Sequence, residues 1–137
     1  MVKEKPFNFL RHFIFAQYDA KRDDVQSKEY EWILQNNKIC QYSDNPMSFI
    51  NNVKDNAEAY SFFLEGKNFD KDKTVNRYLD NIKNLTSTSR QHMSVLLAAK
   101  NLEKELFLNL CYELENFLFL IIIIKQKTNE YERTFIS

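Results

Sequence analysis

The sequence predicts an all-α fold, a compact bundle of about five helices with a long central C-terminal helix. Three observations predict it: the 137 residues include one glycine and two prolines, apolar residues recur at helical spacing over most of the chain, and polar clusters separate these stretches. The alternative is an α+β domain with a short C-terminal hairpin. No repeat or Ser/Gly-rich linker divides the chain, so residues 1–137 are predicted to form a single globular helical domain.

Three helices are predicted in the first half of the chain. Apolar residues at three- and four-residue spacing predict a helix over 7–18, although residues 13–18 also alternate as a strand would. A second helix is predicted near residues 24–37. The cluster Ser43-Asp44-Asn45-Pro46 offers capping side chains and a proline suited to the first helical turn. The third helix is predicted to start there and to end at Gly66, because glycine takes the left-handed conformation without strain.

The second half is predicted to contain a short helix and the longest helix of the chain. Asp70 to Asp72 open the short helix, and Ser87 to Ser89 offer caps for the long one. Four consecutive isoleucines, Ile121 to Ile124, favour a strand through β-branching, and with Tyr131 to Ile136 they form the hairpin alternative. The stripe of the long helix consists of Met93, Leu96, Leu97, Leu102, Leu106, Leu110, Leu114, Phe117 and Leu118.

Charge and hydropathy bound the classes of partner. The chain has 19 basic and 19 acidic residues with no strongly basic segment, whereas nucleic-acid-binding proteins usually carry a clustered basic footprint. A helical nucleic-acid-binding regulator is therefore an alternative that the charge does not favour. The most apolar segment, Phe117 to Ile124, is shorter than the ~20 residues a membrane span needs, and the start of the chain lacks a signal-peptide pattern. We expect no membrane span and a cytoplasmic location.

Two arginine–histidine pairs are the candidate catalytic residues. Arg11 precedes His12, and Arg90 lies two residues before His92. An imidazole can move a proton while a guanidinium stabilises an oxyanion, so these pairs support the alternative of a small hydrolase or ribonuclease. Surface exposure or core packing is the commoner role for such residues. The two histidines and two cysteines lack the paired spacing of zinc sites, so neither a metal nor a cofactor is predicted.

The aromatic residues indicate the leading function. Twelve phenylalanines, seven tyrosines and one tryptophan are many for this length. Tyr30, Trp32, Tyr42 and Tyr60 lie at predicted element edges or among polar residues, and tyrosine and tryptophan are typical anchors of protein interfaces. We therefore expect a non-enzymatic protein–protein interaction module (an adaptor, a subunit, or an inhibitor or immunity-type protein) that acts through an aromatic-aliphatic surface. The expected partner is another protein or a second copy, with Phe117 to Ile124 as a candidate dimer contact.

Overall fold

A computed structural model describes residues 6–68, 72–86 and 90–136, and side chains within residues 8–127 of these ranges. The described residues form helices and no strand, so the all-α prediction is confirmed and the α+β alternative is wrong. Residues 121–136, predicted as a possible hairpin, continue one helix instead. The described helices number eight where about five were predicted: α1 (Pro6–Gln17), α2 (Arg22–Val25), α3 (Glu29–Gln35), α4 (Asn37–Cys40), α5 (Pro46–Leu64), α6 (Lys73–Leu85), α7 (His92–Ala99) and α8 (Lys104–Ile136).

The helix predicted near 24–37 is divided into α2, α3 and α4. Ser27 takes a positive φ of 61° between α2 and α3, which no continuous right-handed helix allows. Asn36 separates α3 from α4, and its side-chain amide donates a 2.7 Å hydrogen bond to the carbonyl of Trp32. Short polar side chains compete for backbone hydrogen bonds in this way and so interrupt helices.

The long helix predicted from the apolar stripe is two helices, α7 and α8. The stripe advances by five residues between Leu97 and Leu102, where a continuous helical face requires three or four. α7 ends at Ala99, the backbone N–H of Lys100 turns back to the carbonyl of Leu97, and α8 begins at Lys104. The predicted caps at 87–89 lie outside the described residues. The five-residue step in the stripe marks the position where the predicted single helix is divided.

By its internal contacts the chain divides into two compact units. The first consists of the described residues up to Phe63 together with Gln91–Asn101, and the second consists of Leu64–Arg90 together with the described residues from Leu102 onward. The first unit thus contains α1 to α4, nearly all of α5, and α7. The second contains α6 and α8. The single domain expected over 1–137 stays a prediction.

Aromatic side chains build the core of the first unit. Phe13 is fully buried, and its ring centroid lies 5.9 Å from that of Phe9, 5.8 Å from that of Tyr18 and 6.3 Å from that of Phe49. The ring of Tyr18 in turn contacts Trp32 at 5.9 Å. Edge-to-face and tilted contacts of this kind add to the free energy gained from burial. Much of the aromatic content in the first part of the chain therefore serves folding.

Two local devices position α6 in the second unit. Gly66 ends the turn after α5 with φ +72°, as predicted, and a Cβ at this position would lie 2.9 Å from the Cα of Asp80. Asp72 caps α6, since its carboxylate accepts hydrogen bonds from the backbone N–H groups of Thr74 and Val75. Asp70, the other predicted opening residue, lies outside the described residues. Both the left-handed turn and the cap are therefore set by single residues.

Candidate interaction surface

α6 and α8 begin side by side in the second unit. The Lys104 ammonium lies 2.6 Å from the Asp72 carboxylate, and the rings of Tyr78 and Tyr112 meet edge to face at 5.8 Å. At 1.5 Å per residue, the 13 residues of α6 span about 20 Å and the 33 residues of α8 span about 50 Å. α8 therefore continues past the end of α6 from about residue 117 onward.

The covered side of α8 is formed by residues three or four apart. Phe107 and Cys111 are buried, and Leu114 and Leu118 are half-buried. Burial raises the pKa of the Cys111 thiol to about 12, so this thiol stays neutral and packs as a small apolar group. One face of α8 is thus committed to the fold of the second unit.

The other side of α8 exposes large apolar side chains on one face. Leu106, Phe117, Leu120 and Ile124 are 53%, 59%, 56% and 62% exposed. Glu113 and Lys127 are exposed on the same face. Intervals of seven, four, three, four and three residues keep a set on one helical face. We call this set the α8 surface: Leu106, Glu113, Phe117, Leu120, Ile124 and Lys127.

Opposite charges flank the apolar part of the α8 surface. Glu113 lies four residues before Phe117, and Lys127 lies three residues after Ile124. Both side chains are exposed. The two charges are separated by 14 residues, or about 21 Å along the helix axis. From Glu113 to Lys127 the α8 surface is therefore negative, then apolar, then positive, and Leu106 lies beyond the negative end.

Among the described residues, one helix has the length and composition to cross a membrane. It is the 24-residue part of α8 from Lys104 to Lys127, and only 11% of its apolar stretch is buried. Core helices of soluble proteins and signal sequences can have the same length and composition. Glu113 and Glu115 lie near its centre, where ionised side chains are costly in hydrocarbon. Length and composition alone therefore do not make α8 a clear membrane span.

The structure separates the four predicted interface residues into two groups. Tyr30 is 61% exposed on α3, and Tyr42 is half-buried with its hydroxyl donating a 2.8 Å hydrogen bond to the carbonyl of Leu34. Trp32 and Tyr60 are only 6% and 4% exposed, because they pack in the core of the first unit. Their burial corrects the expectation that they present surface to a partner. Tyr30 and Tyr42 stay predictions.

The candidate catalytic residues lie on different elements. His12 on α1 is buried, and its Nδ1 lies 3.1 Å from the hydroxyl oxygen of Ser94 on α7, which joins two helices of the first unit. His92 on α7 is half-buried, and Arg11 on α1 is exposed. Arg90 belongs to the second unit. The hydrogen bond of His12 thus connects α1 to α7.

An open groove of about 610 Å³ lies in the first unit beside Tyr18 and Cys40. Polar side chains line much of it, including Asn45 and Asn52. Burial, followed by the neighbouring Cys40, raises the pKa of Tyr18 to about 12, and burial also raises the pKa of Cys40. The reactive form of a cysteine is its thiolate, which a raised pKa disfavours. The groove therefore does not activate Cys40 as a nucleophile.

No protein-family model, curated protein or solved structure matches this chain. Within the described residues, no group of three or more His, Cys, Asp or Glu side chains is placed to hold a metal ion. The proposed function therefore rests on the residues of the chain itself.

Proposed function

We propose that this chain is a non-enzymatic protein–protein interaction module whose contact surface is the α8 surface. The observation that carries the proposal is the row of Leu106, Phe117, Leu120 and Ile124, each more than half exposed on one face of a single helix. Contiguous exposed apolar side chains rimmed by polar residues are typical of protein contact sites. The proposal keeps the aromatic-aliphatic character expected from the composition and assigns it to residues other than the predicted anchors.

Burial of this row would supply a useful part of a binding free energy. Removing the exposed halves of Phe117, Leu120 and Ile124 from water contributes on the order of 3 kcal/mol, since full burial of each is worth roughly 1.5–3 kcal/mol. A helix that offers a narrow apolar row is the usual partner of another helix or of an apolar groove. The α8 surface therefore suits a contact made by side chains along one helix.

The hydrolase alternative depends on an imidazole that can reach a substrate. A general acid or base must come within hydrogen-bond distance of the proton that it transfers. His12 is buried, and its Nδ1 already lies 3.1 Å from the hydroxyl oxygen of Ser94. This arrangement supports packing of α1 against α7 better than it supports catalysis.

Affinity purification of the tagged chain from its native cells, with and without nuclease, tests the proposal. Three chains are compared: the wild type, Leu120→Asp in the α8 surface, and Ile50→Asp on α5 as the control. Leu120 and Ile50 are matched, at 56% and 55% exposed. We expect a protein partner in stoichiometric amount to be retained by the wild type and by the control, and to be lost from Leu120→Asp. An untagged copy of this chain counts as such a partner. Nuclease treatment should leave the retained proteins unchanged.

Two results would contradict the proposal. One is the same set of retained proteins for all three chains, since the α8 surface would then contribute nothing. The other is loss of the partner on nuclease treatment, which would favour the nucleic-acid-binding alternative. Thermal unfolding of the three chains is the control for folding. The melting temperature should be nearly unchanged, because both substituted side chains are more than half exposed.

A further inference from the structure

We infer that the occupant of the α8 surface is the same surface of a second copy of this chain, with the two α8 helices antiparallel and the two-fold axis at Leu120. The inference rests on the proposed function and specifies its partner. It follows from the order of side chains in the segment of the α8 surface from Glu113 to Lys127, which is negative, apolar, positive. A surface with this order is complementary to itself when one copy is reversed.

The register follows from residue numbers. In an antiparallel pair centred on Leu120, each residue faces the partner position for which the two numbers sum to 240. Glu113 then faces the partner's Lys127, and Lys127 faces the partner's Glu113. A two-fold axis makes this pair occur twice. Leu120 meets its own copy on the axis. Position 123 of the partner lies directly opposite Phe117, so Phe117 packs beside the partner's Ile124, one residue further along.

A parallel pair is disfavoured by the same charges. It would bring Glu113 against its own copy and Lys127 against its own copy, and like charges at helix contacts are destabilising. Both side chains are exposed, so neither charge is committed to the interior of the chain. The order of charges therefore selects the antiparallel orientation.

The extent of the apolar centre favours a helix over a lipid bilayer. The uninterrupted apolar run from Phe117 to Ile124 is about 12 Å long, whereas the hydrocarbon core of a bilayer is about 30 Å thick. Phe117, Leu120 and Ile124 lie on the face of α8 away from the buried Phe107 and Cys111, so a second α8 can approach them along the helix axis. Between two antiparallel α8 helices, a 12 Å apolar centre with charged ends is fully matched.

The first experiment is sedimentation equilibrium of the full chain between about 1 and 100 μM. We expect a dimer whose dissociation constant rises about tenfold in Glu113→Lys, because two attractive pairs become repulsive. Adding Lys127→Glu should return it to within about twofold of the wild type, since the pairs are restored with reversed sign. Leu120→Asp should give a monomer and Ile50→Asp a dimer. Failure of the double variant to recover would overturn the antiparallel pairing.

Cross-linking fixes the orientation independently. Glu113→Cys and Lys127→Cys chains are mixed and treated with a short bis-maleimide, with each chain alone as the control. The native Cys40 and Cys111 are both buried and should react slowly. In the mixture we expect a cross-linked dimer made of one Glu113→Cys chain and one Lys127→Cys chain. Cross-linking of each variant with itself and not with the other would overturn the antiparallel arrangement.

The outcomes separate this inference from the proposed function. One outcome is a wild-type chain that stays monomeric at 100 μM but retains a different protein that Leu120→Asp does not retain. That outcome overturns the second copy as the partner and is consistent with the interaction module. A monomer that co-sediments with phosphatidylcholine/phosphatidylserine vesicles through Leu120, and that retains no protein, overturns both. A dimer that Leu120→Asp dissociates, with the mixed cross-link, supports both.

Discussion

The two units place the same kinds of residue in opposite environments. In the first unit, Phe13 and Trp32 are buried within a network of aromatic rings. In the second, Phe117 and Phe119 are more than half exposed on a helix that continues past its neighbour. Hydrophobic burial stabilises a fold only where another element covers the side chain. Aromatic content alone therefore does not show whether a segment serves folding or association.

The largest expected effect separates two phenylalanines, one from each unit. Phe13→Ala should lower the free energy of unfolding by about 3–5 kcal/mol, because it empties a fully buried ring site. Phe119→Ala should lower it by less than about 1 kcal/mol, because its ring is 53% exposed. Urea denaturation followed by circular dichroism measures both. Equal losses of unfolding free energy in the two variants would contradict the difference in burial between Phe13 and Phe119.

A smaller effect is expected at the turn that leads into the second unit. Gly66→Ala should lower the free energy of unfolding by about 2 kcal/mol, because an L-residue at φ +72° is strained and its Cβ would lie 2.9 Å from the backbone of Asp80. The control is Glu65→Ala at the neighbouring exposed position, which should change little. A Gly66→Ala chain as stable as the control would show that this turn does not position α6.

The smallest effect is an alkaline loss of stability that depends on Cys111. Burial raises the pKa of Cys111 from its ordinary value of 9.0 to about 12, so the folded chain holds this proton while the unfolded chain releases it. The stability is fully present below pH 9 and is lost as the pH rises from 9 towards 12. Between pH 8 and pH 10 the loss should be about 1 kcal/mol.

Urea denaturation of the wild type and of Cys111→Ala at the two pH values measures this loss. Cys111→Ala lowers the stability at both, but its decrease between pH 8 and pH 10 should be about 1 kcal/mol smaller than that of the wild type. Identical decreases in both chains would mean that the thiol is open to water and that α8 is not packed through this face.

Local signals in the sequence predicted several features correctly. The left-handed turn at Gly66 was predictable because glycine alone takes that conformation without strain, and the start of α5 at Pro46 because proline suits the first helical turn. The divided helix at 24–37 was not predicted, since Ser27 adopts a conformation uncommon for its residue type. The break before α8 was not predicted either, although the apolar stripe contains a five-residue step there.

The helical fold class follows from the sequence, because the chain has apolar residues at helical spacing and few glycines and prolines. The high content of aromatic and aliphatic side chains is also plain from the sequence. Which of these side chains are covered depends on the packing of the helices. Helical spacing defines a stripe around the axis of one helix, but burial depends on the length and position of the neighbouring helix. Trp32 and Tyr60 are buried because the core of the first unit covers them. Leu120 is exposed because it lies on the face of α8 away from Phe107 and Cys111.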